Sequence, residues 1–343
     1  MNINRLIRKN IRGLHPYEAK ELRARAKLDA NESPYEFPEL LKEALNVKTN
    51  RYPDPQGTQL KRAASKRWKV KPENILLGNG SDELIYYLVL TFGGPVMYPT
   101  PTFSMYEIIT KAIGEKAVGV RLDRDFDLNT ERFLEAIKKH KPKLIFLSSP
   151  NNPTGNCFST DRIFQIIQKT RGLVVVDEAY QPFSSKNGFV PFLESMENLV
   201  IMRTLSKIGF ASLRVGFLLA HKPVIEAVNR VRLPFNLNAL SQAVAIEVFK
   251  NYRTIQSGIK KIVKERERLY SELQGIKKIR VYPSEANFIL FSTADADKLH
   301  RGLARRGVLV RNMTSAVKNS LRVTIGTREE NDLFLNTLKS LIR

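Results

Sequence analysis

The stretch RTLSKIGFASLRVGF (residues 203–217) sets two cations, Lys207 and Arg214, among small, hydroxyl and apolar residues. An amine in desolvated surroundings is pushed toward its neutral form, and neutral amines form Schiff bases with carbonyls. Lys207 is the candidate for that linkage. Upstream, the apolar run LVVV delivers Asp177 and Tyr180, and KLIFLSS delivers PNNPTG with Asn152. A carboxylate facing a ring nitrogen keeps it protonated and makes the ring an electron sink, and Asp177 suits that part. The glycine turn GNGSDE (78–83) opens a helix whose first turn holds Ser81 and Asp82. Backbone N–H groups at such a helix end favour a phosphate dianion. Thr204, Ser206 and Arg214 can complete the cup with hydroxyls and a guanidinium. The combined chemistry suits an aromatic aldehyde cofactor carrying a phosphate, as pyridoxal phosphate does.

These groups need elements to bring them together. From about residue 75 to 220, apolar runs alternate with amphipathic helical stretches: NILLGNGSDELIYYLVLTF, PVMYPTPTFSMYEIITKAI, TERFLEAIKKH, KLIFLSSP, STDRIFQIIQKT, LVVVDEAY, NLVIMRTLSK and VGFLLA. The strands are continuously apolar, as when both sheet faces are covered, which gives an α/β domain with a largely parallel sheet. Open sheets of this kind bind ligands beyond their strand ends, where three adjacent strands here deposit polar residues. After VRLPFNLNALSQAVAIEVF (231–249) the pattern becomes that of a smaller α+β domain. The expected division is an N-terminal segment (1–45) contributing to the small domain and to a dimer contact, a large cofactor-binding domain (46–240), and a small C-terminal domain (241–343).

Composition removes several classes. No stretch reaches the roughly 18 apolar residues that span a bilayer. The N-terminus MNINRLIRKNIRGLHPYE carries charges where a secretory signal has an apolar core, so the chain reads as cytoplasmic. One cysteine, Cys157, allows no internal disulfide, and the four histidines lack metal-ligand spacing, so no metal is expected. GNGSDE lacks the third glycine of a dinucleotide fingerprint, and Ser-x-x-Lys at Ser257/Lys260 and Ser315/Lys318 lacks its companion motifs. The net charge of +22 comes from short, dispersed groups. It reads first as a solvated basic surface, of the kind thermal adaptation also produces, and second as one that steers anionic small molecules, with no nucleic-acid or membrane partner expected.

The residues also carry a resemblance. LHPYEAK, LDANESP, NRYPDPQ, GNGSDELI, PTPTFSMY, SSPNNPTG, VVVDEAY, RTLSK, LRVGF, EANFIL and LRVTIGTREEN run nearly end to end. They resemble the pyridoxal-phosphate aminotransferases of the aspartate-aminotransferase fold, and within them the histidinol-phosphate aminotransferase family. The resemblance implies a mostly parallel seven-stranded sheet flanked by helices, fold type I of pyridoxal-phosphate transferases. It implies that Lys207 holds the cofactor covalently and shuttles a proton, and that Asp177 pairs with the ring nitrogen. Tyr180 and Asn152 would bond the ring oxygen, and Phe103 would stack on the ring. Ser81, Asp82, Thr204, Ser206 and Arg214 would bind the phosphate, with Tyr52 reaching the phosphate of the other subunit in a homodimer with shared sites. Arg322, Arg311, Tyr17, Asn31 and Asn152 would line the substrate side.

The implied reaction converts L-histidinol phosphate and 2-oxoglutarate into imidazole-acetol phosphate and L-glutamate, a step of histidine biosynthesis. Threonine-phosphate decarboxylase of cobalamin synthesis and aromatic-amino-acid aminotransferase share most of these residues and stand as alternatives, and a catalytically silent nucleic-acid-binding relative would be a different class. One departure stands out: KIGFASLR closes a loop one residue shorter than is usual between that lysine and arginine.

Overall fold

The structure, a computed structural model, describes residues 3–14 and 24–342. Strand β1 (Ala26–Leu28) precedes a block of seven: β2 (Ile75–Asn79), β3 (Val96–Thr100), β4 (Ala117–Arg121), β5 (Leu144–Ser148), β6 (Leu173–Asp177), β7 (Leu199–Thr204) and β8 (Val215–Ala220). The seven form one sheet in the order β2-β8-β7-β6-β5-β3-β4. Only β8 opposes its neighbours, pairing antiparallel with β2 and β7, while the other pairs are parallel. The apolar runs predict a largely parallel sheet and the family resemblance implies seven strands, and both hold.

Side chains on successive strand positions point to opposite faces, and the apolar runs exploit both. On β5 to β7, Ile145, Leu147, Val174, Val176, Leu199 and Ile201 fill the core on one face. Leu144, Phe146, Val175, Val200 and Met202 fill the core on the other. The covering helices in this half of the chain are α1 (Thr58–Trp68), α2 (Ser81–Phe92), α3 (Met105–Ile113), α4 (Thr130–His140), α5 (Thr160–Lys169) and α6 (Lys222–Asn229). Leu84 and Leu88 of α2 and Tyr106 and Ile109 of α3 join the second core. Phe133 of α4 and Ile163 and Ile166 of α5 join the first. The α3 C-terminus is capped from the chain start: Arg8 donates to the Ile113 carbonyl, and Asn10 Nδ2 to those of Lys111 and Ala112.

Helices α7 (Ala239–Lys250) and α8 (Tyr252–Gln274) lead into β9 (Ile279–Val281), β10 (Phe288–Thr293), α9 (Ala296–Arg305), β11 (Val308–Asn312), β12 (Ser320–Thr324) and α10 (Arg328–Ile342). The second sheet has the order β1-β11-β12-β10-β9. Strand β1 lies parallel to β11, with Ala26 opposite Val308, so this sheet draws on both parts of the chain. Helix α8 buries Ile255, Ile259, Ile262, Leu269 and Leu273 along one stripe, as an amphipathic helix on a core should. Among the described residues, no helix is long and apolar enough to cross a membrane.

Candidate active site

The C-terminal ends of β2, β5, β6 and β7 open onto one cleft with about 470 Å³ of empty space, its open mouth included. Ser81, Asp82, Phe103, Asn152, Asp177, Tyr180, Thr204, Ser206, Lys207 and Arg214 all line it, together with Ser148 and Ala179. Register explains the convergence, because Ser148, Asp177 and Met202 stand side by side across β5, β6 and β7. Each parallel strand then releases its next residues over the same edge.

Asp177 ends β6 in a buried position. Its Oδ1 accepts the Ala179 N–H at 3.0 Å, and its Oδ2 accepts the Tyr106 hydroxyl at 2.7 Å. Burial pushes this carboxyl up to about 6, with Asp82 adding to the shift; the two hydrogen bonds and Lys207 oppose it. Tyr106 is absent from the sequence candidates. It is fully buried, stacks on Phe146 at 4.8 Å and meets the Phe103 ring edge-on at 5.6 Å. The available signal was its place in the first turn of α3, directly after the loop that carries Phe103.

Lys207 sits in a short 3₁₀ turn, Ser206–Ile208, with its Nζ 5.8 Å from the centre of the Tyr180 ring. A second turn, Ala211–Leu213, and two left-handed residues close the loop: Gly209 (φ 112°) and Arg214 (φ 53°). Gly209 is also required sterically, as a β-carbon there would stand 2.7 Å from the Phe37 ring. The shortened loop therefore still brings Arg214 to the cup. Its Nη2 lies 3.2 Å from Asp82 Oδ2 and its Nη1 3.5 Å from Ser206 Oγ. Thr204 Oγ1 lies 2.8 Å from Ser206 Oγ and accepts the Ser206 N–H at 3.0 Å.

Across this group lies the N-terminus of α2. Its N-cap is Gly80 (φ 81°), with no side chain capping the helix. The first N–H groups of a helix have no partners within it. A β-carbon on Gly80 would come within 2.3 Å of Arg214 Nη2. Bare helix end, guanidinium and two hydroxyls thus form a cradle that fits a phosphate.

On the substrate side, Arg322 of β12 is the cross-strand partner of Arg311 on β11. Partners across an antiparallel pair share a face, so the two guanidinium-bearing side chains leave the sheet on the same side. Arg322 Nη1 donates to Asn152 Oδ1 at 2.6 Å and its Nη2 to the Asp29 carbonyl at 2.8 Å. Arg322 reaches the cleft through Asn152, and neither it nor Arg311, Asn31 or Tyr52 lines the cleft. Asn31 is buried behind Tyr180, whose hydroxyl receives its amide at 2.9 Å. Tyr52 is 81% exposed and stacks on Phe235 at 4.5 Å. Tyr17 lies outside the described residues. Among the described residues, no cluster of histidine, cysteine and carboxylate side chains could hold a metal ion.

The model of the family "Aminotransferase class I and II" matches residues 25–338. The histidinol-phosphate aminotransferase of Caldanaerobacter subterraneus subsp. tengcongensis is 41% identical over 351 residues, covering 99% of each chain. The chain belongs to the class I and II aminotransferases, in the histidinol-phosphate aminotransferase family. Two solved structures of such aminotransferases share its fold. That from Clostridium acetobutylicum superimposes with a TM-score of 0.87 at 24% identity, covering 92% of this chain and 99% of the other. That from Sinorhizobium meliloti, in complex with pyridoxal-5'-phosphate, gives 0.85 at 24% identity, covering 94% and 92%.

In this aminotransferase a second charged pair underlies the site and is absent from the sequence candidates. Glu178, next to Asp177 and facing the other way, is buried and accepts both Nε (2.8 Å) and Nη2 (2.6 Å) of Arg203. The Arg203 guanidinium also lies 5.3 Å over the Trp68 ring. The pair ties the end of β6 to β7 one residue from Asp177 and Thr204.

Proposed function

We propose that this aminotransferase moves the amino group of L-histidinol phosphate to 2-oxoglutarate, giving imidazole-acetol phosphate and L-glutamate in histidine biosynthesis, with pyridoxal 5'-phosphate as its cofactor. The observation that carries the reading is the meeting of Lys207, a buried Asp177 and a phosphate cradle in one cleft, in a chain 41% identical end to end to an aminotransferase of that name. The bound cofactor supplies an electron-withdrawing ring that disperses the charge left when the substrate carbon loses its proton.

The chain's own residues do the rest. Ser81 and Asp82 N–H groups, Thr204, Ser206 and Arg214 hold the phosphate. Phe103 covers one ring face. Asp177, fixed by Tyr106 and Ala179, holds a proton on the ring nitrogen. Tyr180 and Asn152 bond the ring oxygen; with Asn152 Oδ1 taken by Arg322, its Nδ2 is the atom left for the cleft. Lys207 would hold the cofactor through its aldehyde and, once the substrate amine takes that place, its freed Nζ would serve as the base and acid that moves the substrate's proton. Arg322 and Arg311 would grip the phosphate of one substrate and a carboxylate of the other, and Tyr17, outside the described residues, is read as serving the same end. Bidentate guanidinium recognition suits both anions, which lets one site serve both half-reactions.

In the same reading the chain divides at residues 45 and 240. The first sheet lies within 46–240, and the second draws on 1–45 and 241–343. The enzyme works in the cytoplasm as a homodimer, Tyr52 of each subunit reaching the partner's phosphate cradle.

The test offers purified holoenzyme histidinol phosphate, threonine phosphate or phenylalanine while following cofactor absorbance and products. Conversion to the amino form of the cofactor with histidinol phosphate is expected. Conversion with phenylalanine alone, or carbon dioxide from threonine phosphate, would sink the assignment. Lys207→Ala should lose the absorbance of the lysine-bound cofactor and about a thousandfold or more of activity.

A further inference from the structure

The sequence groups Asn31 with substrate contacts, but its surroundings point elsewhere. It is 1% exposed and adopts a left-handed backbone, φ 56°, which asparagine tolerates better than most residues. Its N–H donates to Thr324 Oγ1 at 2.9 Å, and its carbonyl accepts Asn287 Nδ2 at 3.0 Å. Its Oδ1 accepts the Thr324 hydroxyl at 3.2 Å, and its Nδ2 donates to Tyr180 Oη at 2.9 Å. Thr324 ends β12 and Asn287 precedes β10, so three of these bonds anchor Asn31 on the second sheet. The fourth crosses to Tyr180, three residues beyond the end of β6.

Thr324 decides which way the amide faces. Its oxygen already accepts the Asn31 N–H, so its own hydrogen needs an acceptor, and Oδ1 is that acceptor. Nδ2 must then face Tyr180. A phenol oxygen that receives a hydrogen from one side turns its own hydrogen away from that side. For Tyr180 the other side is the cleft that it lines.

We propose that Asn31 is a positioning residue: donating to Tyr180 Oη from the second sheet, it turns the phenolic hydrogen into the cleft, so that Tyr180 acts as a donor toward the cofactor's anionic ring oxygen. The proposal rests on the reading of Tyr180 as a partner of that oxygen. It gives the second sheet a hold on the cofactor's electronic state, through a residue that touches neither cofactor nor substrate. A donated hydrogen withdraws negative charge from the ring oxygen and lowers the proton affinity of the neighbouring lysine–cofactor nitrogen.

Among the described residues, the charged groups that share the cleft with Tyr180 are Lys207, 5.8 Å from its ring centre, Asp177, Asp82 and Arg214, while Arg322 lies over the Phe288 ring that meets Tyr180 edge-on. None is altered in the following variants. Asn31→Asp keeps the shape but offers Tyr180 an acceptor, drawing the phenolic hydrogen away from the cleft. Asn31→Gly suits φ 56° and deletes the donor without adding charge, which covers the case in which a buried carboxylate prevents folding.

The readout is the pH midpoint of the absorbance of the lysine-bound cofactor in resting holoenzyme. Both variants should raise it, Asn31→Asp by on the order of 1 pH unit, as Tyr180→Phe should. Neither Asn31 variant should move it much further in the Tyr180→Phe background. An unchanged midpoint beside wild-type Tyr180, or an equal rise in both backgrounds, overturns the proposal while leaving the role of Tyr180 intact. No effect of Tyr180→Phe itself overturns the reading beneath it, and the proposal with it.

Discussion

Asp177 shows how one residue can be poor for folding and right for binding. Its carboxyl is pushed up to about 6 by burial, above its ordinary value near 4. The folded chain therefore keeps a proton that the unfolded chain releases between about pH 4 and 6. Stability from this group falls as pH rises through that window, and the buried charge costs on the order of 3 kcal/mol above it. A cationic ring nitrogen beside the carboxylate would offset the cost. Asp177→Asn should therefore stabilise the cofactor-free protein by about 1–3 kcal/mol at pH 8 and change little at pH 4, while weakening cofactor binding. Urea unfolding of the cofactor-free protein at both pH values, with cofactor titration at pH 8, checks all three; equal stability at pH 8 would remove the argument. Asp177 itself was legible, as a carboxylate straight after an apolar run. Tyr106 was not, because a tyrosine on a buried helix face looks like core until the register shows what its hydroxyl meets.

Between elements, what matters is how firmly β6 and β7 hold their ends in step, since Asp177 leaves one strand and Lys207 follows the other. Glu178 and Arg203 supply that hold from the face away from the cofactor cleft. Breaking a buried pair by removing one partner leaves an uncompensated charge, whereas removing both does not. Arg203→Met should accordingly cost about 3–5 kcal/mol, and Glu178→Met in the same chain should recover part of it, less about 1–3 kcal/mol for the Phe189 N–H that Glu178 Oε1 accepts. Denaturant midpoints of the two variants test this; additive losses would show that no pair is being broken. The same contrast explains what the sequence disclosed at this level. Apolar runs buried on both faces revealed β2, β3 and β5 to β8. Strand β4 hid because it is an edge with every second residue outward, and β1 and β9 because three residues carry no period. The pairing of β1 with β11, some 280 residues away, depends on a meeting that no local pattern encodes.

At the scale of the whole molecule, the surface around Tyr52 is the feature a single chain leaves unexplained. Tyr52 is 81% exposed, Leu233 63% and Leu240 48%, with Phe235 stacked on Tyr52. The stacked Tyr52–Phe235 pair is the kind of exposed apolar surface that a subunit interface covers. Tyr52 lies outside the Lys207 cleft of its own chain, so the proposed reach toward a phosphate calls for a second subunit. A shared site makes a prediction that separate sites cannot. In a mixed dimer of Lys207→Ala and Tyr52→Ala chains, one site carries both defects and the other carries neither. Co-refolding the two variants should then restore about half the wild-type activity per mixed dimer, although each parent dimer is impaired at both sites. If every site used its own Tyr52, each site of the mixed dimer would keep one defect, and mixing would give only the average of the parents. Steady-state rates of the mixture against its parents, with subunit exchange followed by differently sized tags, decide between the two arrangements.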